Sequence, residues 1–245
     1  MSKVNYGLGG WLKIYKWIVS RLRYSSLNDF IATIVLSVLI IRKWIHISII
    51  RSLIFNKIVM IFGASPSLTS DIEALLSRGV LKWRENFIII SADAATSELC
   101  KYKLYPDIIV TDLDGDITKI LLCHLVKASI VVVHAHGDNI PSLVHYVKLF
   151  NKVFGTTQTI PVYNVYNLYG FTDGDRAIYM AYRLGARKIY LFGMQFKANI
   201  GGYRKIKTVS KDIKRLKLLI GWILYKLIDS EKIVNLSGIN TPNFN

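Results

Sequence analysis

Only two cysteines, Cys100 and Cys123, occur in 245 residues. That is too few for a disulfide framework, and no second pair offers zinc ligands, so a reducing cytosol is the expected setting. Long apolar runs are also scarce. The longest uncharged stretch, Phe30 to Ile41, falls well short of the roughly 20 residues a spanning helix needs, and Arg42 and Lys43 close it. It starts too late for a secretory signal, and the earlier apolar stretch from Leu8 is broken by Lys13 and Lys16. These features predict a cytoplasmic protein without a transmembrane segment. No internal repeat or low-complexity tract is present. A chain of this length hides about 70–75% of its unfolded surface, so it needs no staple to fold.

Acidic residues are half as numerous as basic ones, 16 against 32, for a formal net charge of +16. Residues 1–57 carry nine Lys/Arg against Asp29 alone, 58–196 carry thirteen against twelve acids, and 197–245 carry ten against three. The excess therefore sits on both ends. Contact with nucleic acid or an anionic membrane surface, an electrostatic funnel for a polyanionic small substrate such as ATP, and plain solvated helix faces all remain open from charge alone.

Residues 8–24 place Trp11, Ile14, Tyr15 and Ile18 at helical spacing among lysines and arginines, which predicts an amphipathic basic helix. Ser26 with Asp29 three residues on predicts the start of a second helix running to about Trp44. From Lys57 the pattern changes to short apolar runs, each ending in glycine or polar residues and followed by helical spacing. The expected organisation is a basic helical extension over 1–56 packed on an α/β domain over 57–245, which includes a Lys-rich helix from Val209 to Ile228. Alternating strands and helices predict a mostly parallel, Rossmann-like sheet with helices on both faces. Ligands of such sheets sit beyond the carboxyl ends of the strands.

The polar residues collect at those ends. Ile108-Ile-Val-Thr-Asp112-Leu-Asp114-Gly-Asp116 reads as a buried strand that delivers three carboxylates into a glycine turn. Two ionised carboxylates about 5 Å apart repel by roughly 3 kcal/mol at an effective dielectric near 20, so a cluster of three calls for a cation, and oxygen ligands favour magnesium or calcium. Gly63-Ala-Ser65-Pro-Ser67 between a strand and a helix start suits an anion. His134-Ala-His136-Gly-Asp138-Asn139, Gly155-Thr-Thr-Gln158, Gly170-Phe-Thr172-Asp173-Gly-Asp175-Arg176-Ala and Gly193-Met194 follow later apolar runs. Each block has a plain alternative: a core histidine, a pair of helix caps, a strand-end turn.

Taken together and in this order, these blocks resemble the archaeal-type 6-hydroxymethyl-7,8-dihydropterin diphosphokinases, a family similar to thiamine diphosphokinases in its catalytic fold. The resemblance covers residues 58–196, and extends more loosely to Trp11, Tyr15 and Asp29 and to Lys214–Leu218. It implies ATP as co-substrate, Mg²⁺ as cofactor, and transfer of diphosphate to a pterin hydroxymethyl group with release of AMP. By resemblance, Asp112 and Asp114 are the principal metal ligands, with Asp93 and Asp138 supporting. Asp173 and Asp175 bind metal or orient the hydroxyl, and Arg176 and Lys214 contact phosphates. Gly63, Ser65, Ser67, Thr172 and Gly193 line the ATP and substrate site, His134 and His136 donate hydrogen bonds, and Asn139 and Gln158 suit a pterin edge.

Four positions depart from the family pattern. Ser65, Ala94 and Tyr169 stand where glycine is expected, and Gln195 where aspartate is expected. The aspartates assigned above to the site are all retained. Thiamine as acceptor, and a nonenzymatic nucleotide- or RNA-binding relative, are the competing readings, and a homo-oligomer is left open. A haloacid dehalogenase-type nucleophile motif is rejected because Asp116 stands where threonine is needed. An EF-hand is rejected because Gly115 falls at the fourth position rather than the sixth.

Overall fold

A computed structural model describes residues 7–196, 211–228 and 230–238. Three helices come first: α1 (Gly7–Leu22), α2 (Ser26–Leu39) and α3 (Ile47–Ile54). Strands and helices then alternate through β1 (Ile58–Phe62), α4 (Leu68–Ser77), β2 (Phe87–Ala92), α5 (Ala95–Lys101), β3 (Ile108–Thr111) and α6 (Ile117–Lys127). The series continues with β4 (Ile130–Ala135), α7 (Ile140–Tyr146), β5 (Val153–Thr157), β6 (Val165–Tyr166) and α8 (Asp173–Arg183). It closes with β7 (Lys188–Phe192), α9 (Lys211–Ile228) and β8 (Ile233–Asn235). Among the described residues no helix is long and apolar enough to cross a membrane.

The strands form one sheet in the order β6-β5-β4-β3-β2-β1-β7-β8, and every pairing is parallel. Parallel strands are covered on both sides, which is why β1 to β4 are apolar at nearly every position rather than alternating. Val59, Ile61, Ile90, Val110, Val132 and Leu191 face one core, shared with α1, α3, α8 and α9. Their neighbours turn the other way. Ile109, Val131 and Val133 meet α2, α6 and α7, while Met60, Phe62 and Ile89 meet α4 and α5. Each such fully buried side chain contributes about 1.5–3 kcal/mol. The direction of winding reverses between β1 and β7, and the loops leaving those two strands open the crevice in which the site lies.

The N-terminal helices straddle the sheet, α1 on one face and α2 on the other. Two expectations are corrected here. Ser25, not Ser26, caps α2, its side chain accepting from Asn28 N, and Asp29 is buried rather than part of a solvent-facing cap. The helix ends at Leu39 instead of Trp44 because the chain is captured by the sheet: Ile45 N donates to Val153 O at 2.7 Å and Val153 N to Lys43 O at 3.2 Å. The expected onset of the Lys-rich helix at Val209 lies outside the described residues, and α9 is described from Lys211.

Candidate active site

Two cavities open at the carboxyl ends of the strands and share Thr172, Asp173 and Lys217 on their walls. The first, about 300 Å³, runs past the loops after β1, β2 and β7: Gly63, Ser65, Asp93 and Gly193, with Lys214 and Gly221 from α9. Its shape is set by backbone. Gly63 N donates to Phe192 O and Ser65 N to Gly193 O, both at 2.9 Å, so the two loops lie against each other. Gly193 has φ +61°, and a Cβ there would collide with the Gly63 carbonyl oxygen. Buried Asp71 of α4 fastens the loop from behind, its Oδ2 accepting from Gly193 N at 2.8 Å and from Ser67 Oγ at 3.0 Å. Ser67 thus faces Asp71 and is not on the cavity wall.

The second cavity, about 210 Å³, is made of polar and aromatic side chains: Asp112, Asp114, His134, His136, Asp138, Gln158, Tyr24 and Phe171. His136 Nε2 lies 3.2 Å from Asp112 Oδ2. Asn139 ties the β3 and β4 loops together by donating to Asp112 O and His134 O, both at 2.7 Å.

Between the cavities, Asp93, Asp112 and Asp173 each offer a carboxylate oxygen within 4.8 Å of the others. Local geometry explains how three loops manage this. Thr111 Oγ1 donates to Asp93 Oδ1 at 2.6 Å and accepts from Leu113 N at 2.9 Å, fixing the β2 and β3 turns. Gly115 is required because a Cβ would run into the Asp93 carboxylate. Of the four residues that the resemblance implied as metal ligands, Asp93 and Asp112 are in this group, whereas Asp114 and Asp138 line the second cavity outside it. Asp116 caps α6, accepting from Lys119 N, and Asp173 from the start of α8 completes the group.

Crowding separates the acids electrically. Burial and the charge of Asp112 lift Asp93 to about 6. Burial, with the charge and hydrogen bond of Asp112, lifts Asp114 to about 8. Burial lifts Asp173 well above its ordinary value, with Asp112 and Asp93 adding to it. For Asp112 burial pulls upward, but hydrogen bonds from His136 and Asp114 outweigh it and hold the group at about 2. One member thus keeps its charge while its neighbours resist theirs.

Two residues singled out from sequence lie under the site rather than in it. Asp175 is the acidic half of a capping box, its Oδ1 accepting from Phe171 N at 2.6 Å and Thr172 N at 2.8 Å. Arg176 is 1% exposed, and its Nη2 lies 2.9 Å from His134 Nε2. Since guanidinium only donates, that His134 nitrogen is the acceptor and the proton sits on Nδ1. Burial, followed by the Arg176 charge, pushes the His134 pKa well down.

Sequence reasoning gave no site role to Lys217, although Lys214, Lys217, Leu218 and Gly221 recur at the spacing of one helix face and line the first cavity together. Asp29 was also underrated. Its Oδ2 accepts from Tyr15 OH at 2.6 Å and Gln158 Nε2 at 2.7 Å, and its Oδ1 from Gly137 N at 2.7 Å. One buried carboxylate therefore joins α1, α2 and the loops after β4 and β5. The departures from the expected family pattern fit the same frame. Ala94 needs no glycine, having φ −59°, because Asp93 takes the positive φ of +38°. Tyr169 does occupy a left-handed position, φ +72°, where its ring stacks on Trp11 at 5.4 Å under the Arg183 guanidinium. Ser65 turns its hydroxyl to Ser67 at 3.2 Å, and Gln195 lines the first cavity.

A doubly wound parallel sheet with glycine loops at its switch point, and an acidic cluster between two cavities there, defines a class of α/β enzymes that act on charged small molecules. Within it, the chain belongs to the family described as 6-hydroxymethylpterin diphosphokinase MptE-like, whose model matches residues 41–201. Three relatives are named 6-hydroxymethyl-7,8-dihydropterin pyrophosphokinase. That of Methanothermobacter thermautotrophicus is 41% identical over 67% of this chain and 72% of its own. The Pyrococcus furiosus relative is 40% identical over 80% of each chain, and the Methanocaldococcus jannaschii one 35% identical over 83% of this chain and 85% of its own. Among solved structures, MAf glycosyltransferase from Magnetospirillum magneticum AMB-1 aligns at 17% identity and TM-score 0.49, over 75% of this chain and 32% of that one.

Proposed function

We propose that this chain transfers diphosphate from Mg²⁺-ATP to the hydroxymethyl group of 6-hydroxymethyl-7,8-dihydropterin, releasing AMP. The observation that carries the reading is the position of Asp93, Asp112 and Asp173, which meet where the two cavities join. The names of the relatives support the acceptor and the group transferred.

The first cavity suits the nucleotide. Its walls carry Lys214 and Lys217, and the N-terminus of α8 opens onto it through Thr172, Asp173 and Gly174, an arrangement that favours phosphate oxygens. The second cavity suits the acceptor, with the Tyr24 and Phe171 rings for a flat heterocycle and His134 and Gln158 for its polar edge.

The acidic cluster fits a divalent ion, since its donors are all carboxylate oxygens and burial, followed by the charge of Asp112, raises the pKa of both Asp93 and Asp173. Asp93, Asp112 and Asp173 would hold the ion, which when bound would offset the triphosphate charge. The rest is positioning by the chain. The acceptor hydroxyl forms a bond to the β-phosphorus, the bond from that phosphorus to the AMP oxygen breaks, and the hydroxyl proton goes to a carboxylate. Asp114 is placed for that role, because it lines the acceptor cavity outside the ion-holding group and its raised pKa makes its carboxylate the stronger proton acceptor.

The test is AMP release by purified protein from ATP with Mg²⁺ and the pterin, beside reactions lacking metal, lacking pterin, or with thiamine replacing it. AMP only with both metal and pterin is expected. AMP only with thiamine would change the acceptor, and none in any reaction would refute catalysis.

A further inference from the structure

Cys100, on α5, and Cys123, on α6, bring their Sγ atoms to 2.7 Å. Nonbonded heavy atoms settle at about 3.5–4.0 Å and a disulfide at about 2.05 Å, so this pair stands closer to bonding distance than to ordinary contact. The sequence alone pointed away from a disulfide, because it counts cysteines and does not show that α5 and α6 pack side by side. We propose that Cys100 and Cys123 form an intramolecular disulfide that clamps α5 to α6.

The placement gives such a bond a consequence. The helix α5 starts just after Asp93 and Ala94, and α6 just after the turn that holds Asp112, Asp114 and Asp116. At the front the two elements are already linked by Thr111 Oγ1 to Asp93 at 2.6 Å and Ser97 Oγ to Asp116 at 3.4 Å. A covalent bond further along both helices fixes the separation of the two acidic loops from behind.

Access sets the order of the chemistry. Cys100 is partly exposed and Cys123 is buried. With a small disulfide as oxidant, the Cys100 thiolate attacks one of its sulfurs, expelling one small thiol and leaving a mixed disulfide. Cys123 then loses its proton and attacks the Cys100 sulfur, expelling the second small thiol. Two protein thiols are oxidised and one small disulfide becomes two thiols. Burial, reinforced by Cys100, pushes the Cys123 pKa up, which makes the second step the slower one.

The experiment is to incubate the full chain with excess oxidised glutathione, alkylate remaining thiols under denaturation, and read intact mass and cross-linked peptides. The expected product lacks two hydrogens, carries no adduct, and contains one peptide pair joined through Cys100 and Cys123. Cys123→Ser should stop at a single glutathione adduct on Cys100. The oxidised wild type should melt about 10 °C above the dithiothreitol-reduced form, as expected for closing a loop of this length. Two alkylated thiols, two glutathione adducts, a bond between chains, or an unchanged melting temperature would each overturn the proposal.

Discussion

The two cavities of the site are built by different means. The first is shaped by backbone: Gly63 and Gly193 let two loops pass at a distance no side chain allows, and buried Asp71 holds them there. The second is shaped by side chains whose directions are set from below, His134 by Arg176 and Gln158 by Asp29. A triphosphate is bound through generic features, helix ends and cations, whereas a heterocycle edge needs donors and acceptors in a fixed order. On the proposed assignment, the wall that would meet the more particular ligand is the one whose side chains are braced by Arg176 and Asp29, and the N-terminal helices belong to that brace.

The comparison can be broken at its hinge. Asp112→Asn removes the member of the cluster that keeps its charge and should cut turnover by about a thousandfold, with circular dichroism unchanged. Wild-type turnover would remove the cluster from the mechanism. Next in size, Gly193→Ala forces a Cβ against the Gly63 carbonyl at a left-handed position and should cost about 2–4 kcal/mol in thermal or urea unfolding. The loss should be accompanied by weaker nucleotide binding. Asp29→Asn is expected to act on the other cavity. By loosening Gln158 and Gly137 it should raise the pterin KM about tenfold and leave the ATP KM unchanged. Equal changes in both constants would erase the division of labour.

The smallest effect is a pH dependence. The folded-state pKa of His134 is depressed below its ordinary value of about 6.5, so the unfolded chain takes up a proton that the folded chain refuses. Stability from this group is complete above pH 6.5 and falls as pH drops below it, with a slope of at most about 1.4 kcal/mol per pH unit. His134→Asn should flatten that slope in unfolding measured between pH 6.5 and 5.

Much of this was legible in the chain. Apolar runs ending in glycine or acidic residues marked the strands of the sheet, and Asp112, Asp114, His134, His136 and Gln158, drawn from three separate blocks, line one cavity. What failed was the assignment of acids that look alike in sequence. Asp114 and Asp116 flank the same glycine, yet one opens onto a cavity and the other caps α6. Asp173 and Asp175 begin the same helix, yet only Asp173 faces outward from the cap. Which acid caps depends on which backbone N–H groups the turn exposes, and that is decided by φ and ψ. Asp29 was misread for a related reason: its partners, Tyr15, Gly137 and Gln158, are brought to it by tertiary packing that helical spacing does not encode.

The most direct test of the central claim, that the acids between the cavities hold a divalent ion beside the transferred group, is Mn²⁺ binding followed by electron paramagnetic resonance in the presence of a nonhydrolysable ATP analogue. The wild type should show a tight Mn²⁺ site that Asp93→Asn, Asp112→Asn and Asp173→Asn each weaken at least tenfold, while Asp116→Asn and Asp175→Asn leave it unchanged. Undiminished Mn²⁺ affinity in the first three variants would contradict the account.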